Sequence, residues 1–240
     1  VKSVEIYVGT SGWVYDWNEE GSLDWYLKYS GLNAVELNAS FYRFPFRNQV
    51  LSWAKKSSTY VIKWAVKVFR SITHYRKLSL DSLETWRKFY ELFRPLDKHI
   101  DFYLFQLPPS FLKNNVNVEK LEKFVKAIDI GEKFAVEFRH TSWFNSDTVE
   151  FCRKLGITFV SIDSPIGRFI ARSNSIVYLR LHGVDMWYAY DYTLEELEEI
   201  AKNVLALNPT KIYIFFNNNH WMLKNARLML TILKDISSKL

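Results

Sequence analysis

Eight short apolar runs, separated in most places by segments patterned for helices, recur from one end of the chain to the other. That alternation restricts the fold more than any other feature of the sequence. The runs are Val4 to Gly9, Ala34 to Asn38, Val61 to Val68, Phe102 to Leu107, Phe134 to Phe138, Ile157 to Ile162, Ile176 to Leu181 and Ile212 to Phe216. Each has a strand's length and is bounded by turn formers, such as Pro108-Pro109 after the fourth. Helical spacing of apolar residues marks Asp24 to Tyr29, Arg47 to Lys56, Ser82 to Phe93, Val118 to Ile128, Asp147 to Leu155, Thr193 to Leu207 and Asn225 to Lys234. Gly31 and Gly156 stop two of these helices, and Thr193 caps another. Only Ser164 to Ser175 lacks a clear helix. Eight β/α units in 240 residues predict an α/β fold, a single (β/α)8 TIM barrel over residues 1–240, since no linker or low-complexity stretch divides the chain. A doubly wound open sheet is the rival, but it would carry a Gly-rich nucleotide turn after the first strand, which is missing.

In such a barrel the site lies at the C-terminal ends of the strands. Strand side chains alternate between faces with a period of two, so one face can be read off each run. The second strand then offers Glu36 and Asn38, the third Lys63 and Lys67, and the fourth Gln106. The fifth offers Glu137 and Arg139 and runs on into His140 and Trp143. The sixth ends near Asp163, the seventh carries Tyr178, Arg180 and His182, and the eighth is followed by Asn217 and Asn218. Any one of these is ordinary as a structural residue. Polar groups at the same end of seven strands predict a pocket.

Lys63, Lys67, Arg139 and Arg180 outnumber Glu36, Glu137 and Asp163, and guanidinium forks suit a phosphate or carboxylate. Glu137 and Glu36 are the candidate acid/base groups, with His182 as an alternative partner. His182 with Glu36, Glu137 and Asp163 could also ligate a divalent metal, but no HExxH-type spacing supports one, and no cofactor is expected. Trp13, Tyr15, Trp17, Phe41, Tyr42, Trp143 and Trp187 follow strands and would rim the mouth, where they either stack a ligand ring or roof short loops. His74 and His220 lie in loops without an evident partner set and are read as surface or rim residues.

The net charge of +6 favours anionic partners. Small anionic molecules come first and nucleic acid second, although acids on the helices following Asp147 and Thr193 interrupt any continuous basic stripe. The single cysteine, Cys152, excludes an intrachain disulfide and reads as a core residue. No apolar run approaches the ~18–20 residues of a membrane span, and the chain opens on a strand without an apolar leader, so a cytoplasmic protein with no membrane partner is expected. Nothing in the sequence fixes the oligomeric state.

Taken together, Gly9-Thr-Ser-Gly-Trp-Val-Tyr-Asp-Trp17, Val35-Glu-Leu-Asn38 with Phe41-Tyr-Arg-Phe-Pro45, Phe105-Gln-Leu-Pro-Pro109, Val136-Glu-Phe-Arg-His-Thr-Ser-Trp143, Tyr178-Leu-Arg-Leu-His-Gly183 and Phe216-Asn-Asn218 resemble the YecE-like family, domain of unknown function 72. The motifs span nearly the whole chain and are specific only in combination. The resemblance implies a TIM barrel and brings no established activity. One departure follows the eighth strand: Asn219-His-Trp-Met-Leu-Lys224 is shorter than the family's usual segment there and lacks its Gly and Pro, while Asn225-Ala226 matches. The leading expectation is an enzyme acting on an anionic, phosphorylated substrate by acid/base chemistry; a nucleic-acid enzyme or binder and a non-catalytic ligand-binding barrel are the alternatives.

Overall fold

A computed structural model describes residues 3–240. In chain order the elements are β1 (Glu5–Ser11), α1 (Leu23–Tyr29), β2 (Ala34–Leu37), α2 (Arg47–Thr59), β3 (Lys63–Lys67), α3 (Leu83–Phe93), β4 (Ile100–Gln106), α4 (Asn115–Ile128), β5 (Phe134–Glu137), α5 (Ser146–Leu155), β6 (Thr158–Ser164), β7 (Gly167–Phe169), β8 (Ile176–Leu181), α6 (Leu194–Ala206), β9 (Lys211–Phe216) and α7 (Met222–Ser237). The fold is the α/β (β/α)8 TIM barrel that the alternation predicts, with β7 as an addition. β7 explains the segment without a helix. The chain turns through Pro165-Ile166 and pairs antiparallel with β6, Ser164 against Gly167, so the backbone groups there are satisfied by a hairpin.

Contacts group the chain into two compact units, one holding the chain up to Glu36 together with Phe159–Leu240, the other Leu37–Thr158. In the first the strand order is β2-β1-β9-β8-β6-β7, parallel except for β7. In the second β3, β4 and β5 run parallel.

The helices start where the sequence supplies caps. Ser22, Asn114, Asn145 and Thr193 each accept a hydrogen bond from the backbone N–H three residues on, and the Glu196 carboxylate in turn accepts one from Thr193 N–H. Gly156 closes α5 in the left-handed conformation (φ 71°), which costs glycine nothing. The apolar stripes then face inward: Leu121, Phe124 and Val125 on α4, Leu197, Ile200, Ala201 and Val204 on α6. Cys152 is buried on α5, and burial pushes its thiol up to about 12, so it is the inert core residue expected.

Much of the aromatic excess is core. In the second unit Phe105 stacks on Phe134 with centroids 3.9 Å apart, and Trp86 packs against Phe89, Tyr103 and Phe105. Among the described residues no helix is long and apolar enough to cross a membrane.

Candidate functional site

Each unit gathers its own polar cluster at the C-terminal ends of its strands. In the first unit, parallel register places Arg180 beside Phe215, Phe215 beside Gly9, and Ser11 beside Glu36. Residues paired this way, and those two apart, share a face. Arg180 on β8 and Glu36 on β2 therefore project to the same side, with Ser11 of β1 level with Glu36 and its Oγ 3.4 Å from Arg180 Nη2. Arg180 Nε donates to both oxygens of Glu36 (3.0 and 3.1 Å), Nη2 donates to Oε1 at 2.6 Å, and Tyr178 Oη donates to Oε2 at 2.6 Å. Arg180 and Glu36 are both 0% exposed. Removing two charges from water costs several kcal/mol each, and only this near-complete pairing offsets it. Glu36 is thereby occupied as the anchor that orients Arg180.

His182 follows on the same face and is fully buried, with Trp187 and Tyr188 packed against its ring. Its Nδ1 lies 3.2 Å from Asn217 Nδ2. Asp163 accepts from Tyr192 Oη at 2.7 Å and from Arg168 Nε at 2.8 Å. Asn218 donates to Tyr190 O and to Asn225 Oδ1, both at 2.7 Å, and so ties β9 to the first turn of α7. That tie keeps the helix where Asn225-Ala226 predicts one. The short segment before it is a 3₁₀ turn, Asn219–Trp221, with Asn219 itself at φ 54° in place of a glycine. Asn, with its short side chain, adopts this conformation more readily than most residues.

In the second unit Lys67 pairs with Leu104, and Gln106 with Glu137. Leu104 and Gln106 are two apart on β4, so Lys67, Gln106 and Glu137 share one face. Glu137 is fully buried and Arg139, two residues on, donates its Nε to Oε1 of Glu137. Gln106 turns its amide back to Leu107 O at 2.8 Å. Lys67 is 7% exposed; its ammonium lies 4.2 Å from the centroid of Phe41, and its carbonyl accepts from Ser40 Oγ at 2.5 Å. The chain after β3 makes a single π-helical turn, Ser71–Tyr75, closed by Arg76 N–H to Ser71 O. That turn sets His74 edge-on to Phe41, centroids 4.8 Å apart, with its Nδ1 2.8 Å from Thr73 Oγ1. Partial burial, and then the charges of Lys67, Arg139, Arg70 and Lys77, lower His74 from 6.5 to about 4.

Several expectations need correction. Lys63 shares a face with Lys67 but begins β3, four residues and roughly 13 Å away along a strand, and it pairs with Asp101 at the start of β4 (3.8 Å). The period-two reading gave its face correctly and its end wrongly. Trp143 is fully buried, stacked on Phe138 (4.2 Å) and Phe111 (5.8 Å), and donates Nε1–H to Phe111 O; it packs the wall and does not rim the mouth. His140 accepts from Ser142 N–H and caps the short turn Thr141–Trp143. Of the other rim aromatics, Trp17 packs on Trp25 and Tyr26 of α1 and donates to Asn219 O, Trp13 is half-buried, and Tyr42 is exposed. Neither loop histidine lacks partners: His220 pairs with Asp16, and His74 sits in the cation cluster. No spacing rule marks His74. The available signal was Arg70 and Lys77 flanking it in the loop after the third strand.

Among the described residues no three His, Cys, Asp or Glu side chains converge to hold a metal ion. No curated protein matches the sequence. Against solved structures, the chain is 30% identical to a DUF72 family protein from Thermotoga maritima, over 97% of this chain and 99% of that one, with a TM-score of 0.82. A DUF72 family protein from Enterococcus faecalis is 22% identical over 98% and 99% of the two chains (TM-score 0.81). A xylose isomerase domain containing protein from Salmonella typhimurium, 14% identical over 88% and 89% (TM-score 0.55), shares the fold alone. The family model described as "Protein of unknown function DUF72" matches residues 7–239, and the chain belongs to that family.

Proposed function

We propose that this protein is an enzyme acting on an anionic, phosphorylated substrate by acid/base chemistry at the C-terminal ends of β3 and β5. The observation that carries the reading is the group Lys67, Arg70 and Lys77, cations additional to the Glu137–Arg139 pair, whose charges act together with that of Arg139 on one half-buried histidine. Like charges gathered around a group removed from water raise the energy of the empty site, and an anion entering it relieves that cost. Lys67 and Arg139 hold the anion. Glu137, fully buried beside Arg139, is the acid/base group, and Arg139 positions its carboxylate. The Glu36–Arg180 pair, already mutually neutralised, serves as framework for its own unit.

The test has two arms. Inorganic phosphate is titrated calorimetrically into wild type and Lys67→Ala, while the His74 imidazole is followed by NMR. Bound phosphate should raise the His74 pKa from about 4, because a nearby anion favours the charged ring, and Lys67→Ala should weaken binding at least about tenfold, the ~1.4 kcal/mol of one charge-assisted contact. An unmoved His74 titration with no measurable heat overturns the anion site. The second arm screens phosphorylated metabolites for turnover, with Glu137→Gln expected to lower it by roughly 10²–10⁴-fold. Equal turnover in both proteins removes Glu137 from the chemistry.

A further inference from the structure

Beside the cation cluster stand flat groups that charge recognition alone does not require. Tyr42 is 57% exposed and Tyr75 68% exposed, and both rings lie against one guanidinium. The Arg70 guanidinium carbon lies 5.7 Å from the Tyr42 centroid and 5.5 Å from that of Tyr75, within cation–π range of each. The Phe41 ring links these groups to the anion site: its centroid is 5.0 Å from that of Tyr42, 4.8 Å from that of His74 and 4.2 Å from Lys67 Nζ. Tyr42 comes from the loop after β2, while Arg70, His74 and Tyr75 come from the loop after β3, so two strand ends build one surface.

The second loop is also held under strain. A π-helical turn is rare and concentrates at functional sites. Immediately beyond it Lys77 and Leu78 both adopt positive φ (45° and 61°), and Leu78 is buried. Left-handed backbone is unfavourable for a leucine, and such conformations persist where the surroundings impose them, most often around ligands.

From this arrangement we infer that the site takes a phosphate monoester carrying a flat ring, the chemistry of a nucleoside 5′-monophosphate. The phosphate lies against Lys67 and Arg139, and the ring lies on the Tyr42, Arg70 and Tyr75 surface. The Phe41 ring adjoins both, with Lys67 Nζ 4.2 Å and the Tyr42 centroid 5.0 Å from its own centroid, and the ribose would join the 5′-phosphate to the base across it. Aromatic rings and guanidinium planes both stack nucleobases. The inference rests on the anion site proposed above and adds the ring.

Calorimetric titrations with inorganic phosphate, ribose 5-phosphate and adenosine 5′-monophosphate separate the two. The mononucleotide should bind at least about tenfold more tightly than ribose 5-phosphate, equivalent to ~1.4 kcal/mol. Tyr42→Ala, a change at an exposed side chain, should bring the two within about twofold of each other while leaving ribose 5-phosphate unaffected. Equal affinity for the two ligands in wild type, or a Tyr42→Ala loss shared by both, overturns the ring inference and leaves the anion site standing. If none of the three binds, the anion site itself falls, and the inference with it. A 5′-phosphorylated trinucleotide distinguishes the sources of this chemistry. Binding as tight as the mononucleotide's assigns the site to a strand end, and exclusion assigns it to free nucleotides.

Discussion

Replacing Arg180 by alanine strands a carboxylate. Glu36 is 0% exposed, and its hydrogen bonds come from Arg180 Nε, Arg180 Nη2 and Tyr178 Oη. Arg180→Ala leaves it with the tyrosine alone and with no countercharge from that arginine. Breaking a buried pair by removing one partner costs about 3–5 kcal/mol, more than the net worth of the intact pair, because the remaining charge stays desolvated. For a chain of this size each kcal/mol moves the melting temperature by about 2–4 °C, so the expected loss is roughly 6–20 °C. Thermal unfolding and the urea midpoint measure it. Adding Glu36→Gln to Arg180→Ala removes the stranded charge while keeping an acceptor for Tyr178, and should recover about 1–3 kcal/mol, a coupling typical of residues in direct contact. The reasoning fails if Arg180→Ala lies within about 1 kcal/mol of wild type, or if the second substitution adds its own loss instead of restoring stability. Either result would mean that water solvates the pair and that it behaves as a surface contact.

Two further outcomes follow from local geometry and charge. At Gly9 an added Cβ would lie 2.1 Å from the carbonyl oxygen of Ala34, a backbone atom locked in register with it, so Gly9→Ala should cost at least ~3 kcal/mol or abolish soluble protein. Gly21→Ala meets nothing within 4 Å and carries only the ~1–2 kcal/mol of its positive φ (61°); equal urea midpoints for the two variants would refute the close approach. His74 is lowered from 6.5 to about 4 in the fold, so between these values the unfolded chain binds more protons and stability falls as pH falls. His74→Gln should flatten that part of the urea-midpoint profile, and an unchanged slope would show that other groups set it.

How much was legible in the sequence differs between backbone and side chains. Strand and helix positions could be read because apolar periodicity and capping are local: Thr193 with Glu196, or Asn145 with Thr148, act within one turn. Strand boundaries slid by a residue or two, as at Val61, which is 89% exposed and precedes β3. Which end of a strand a charge occupies was misread for Lys63, because alternation gives a face and carries no height along the barrel axis. Trp143 was misplaced for a related reason: a tryptophan after a strand can roof a pocket or pack beneath it, and only Phe138 and Phe111 decide which.

The sequence by itself determined the (β/α)8 architecture, the inward stripes of the helices and the polar strand ends, all of which are properties of neighbours in the chain. Only the tertiary structure decided the partners. Glu36 and Arg180 are 144 residues apart in sequence and share three hydrogen bonds. His74, passed over as a loop residue, is tuned by Lys67, Arg139, Arg70 and Lys77. Coulomb interactions and hydrogen bonds depend on distance through space, which a one-dimensional pattern does not encode, so the chemistry of the site had to wait for the fold.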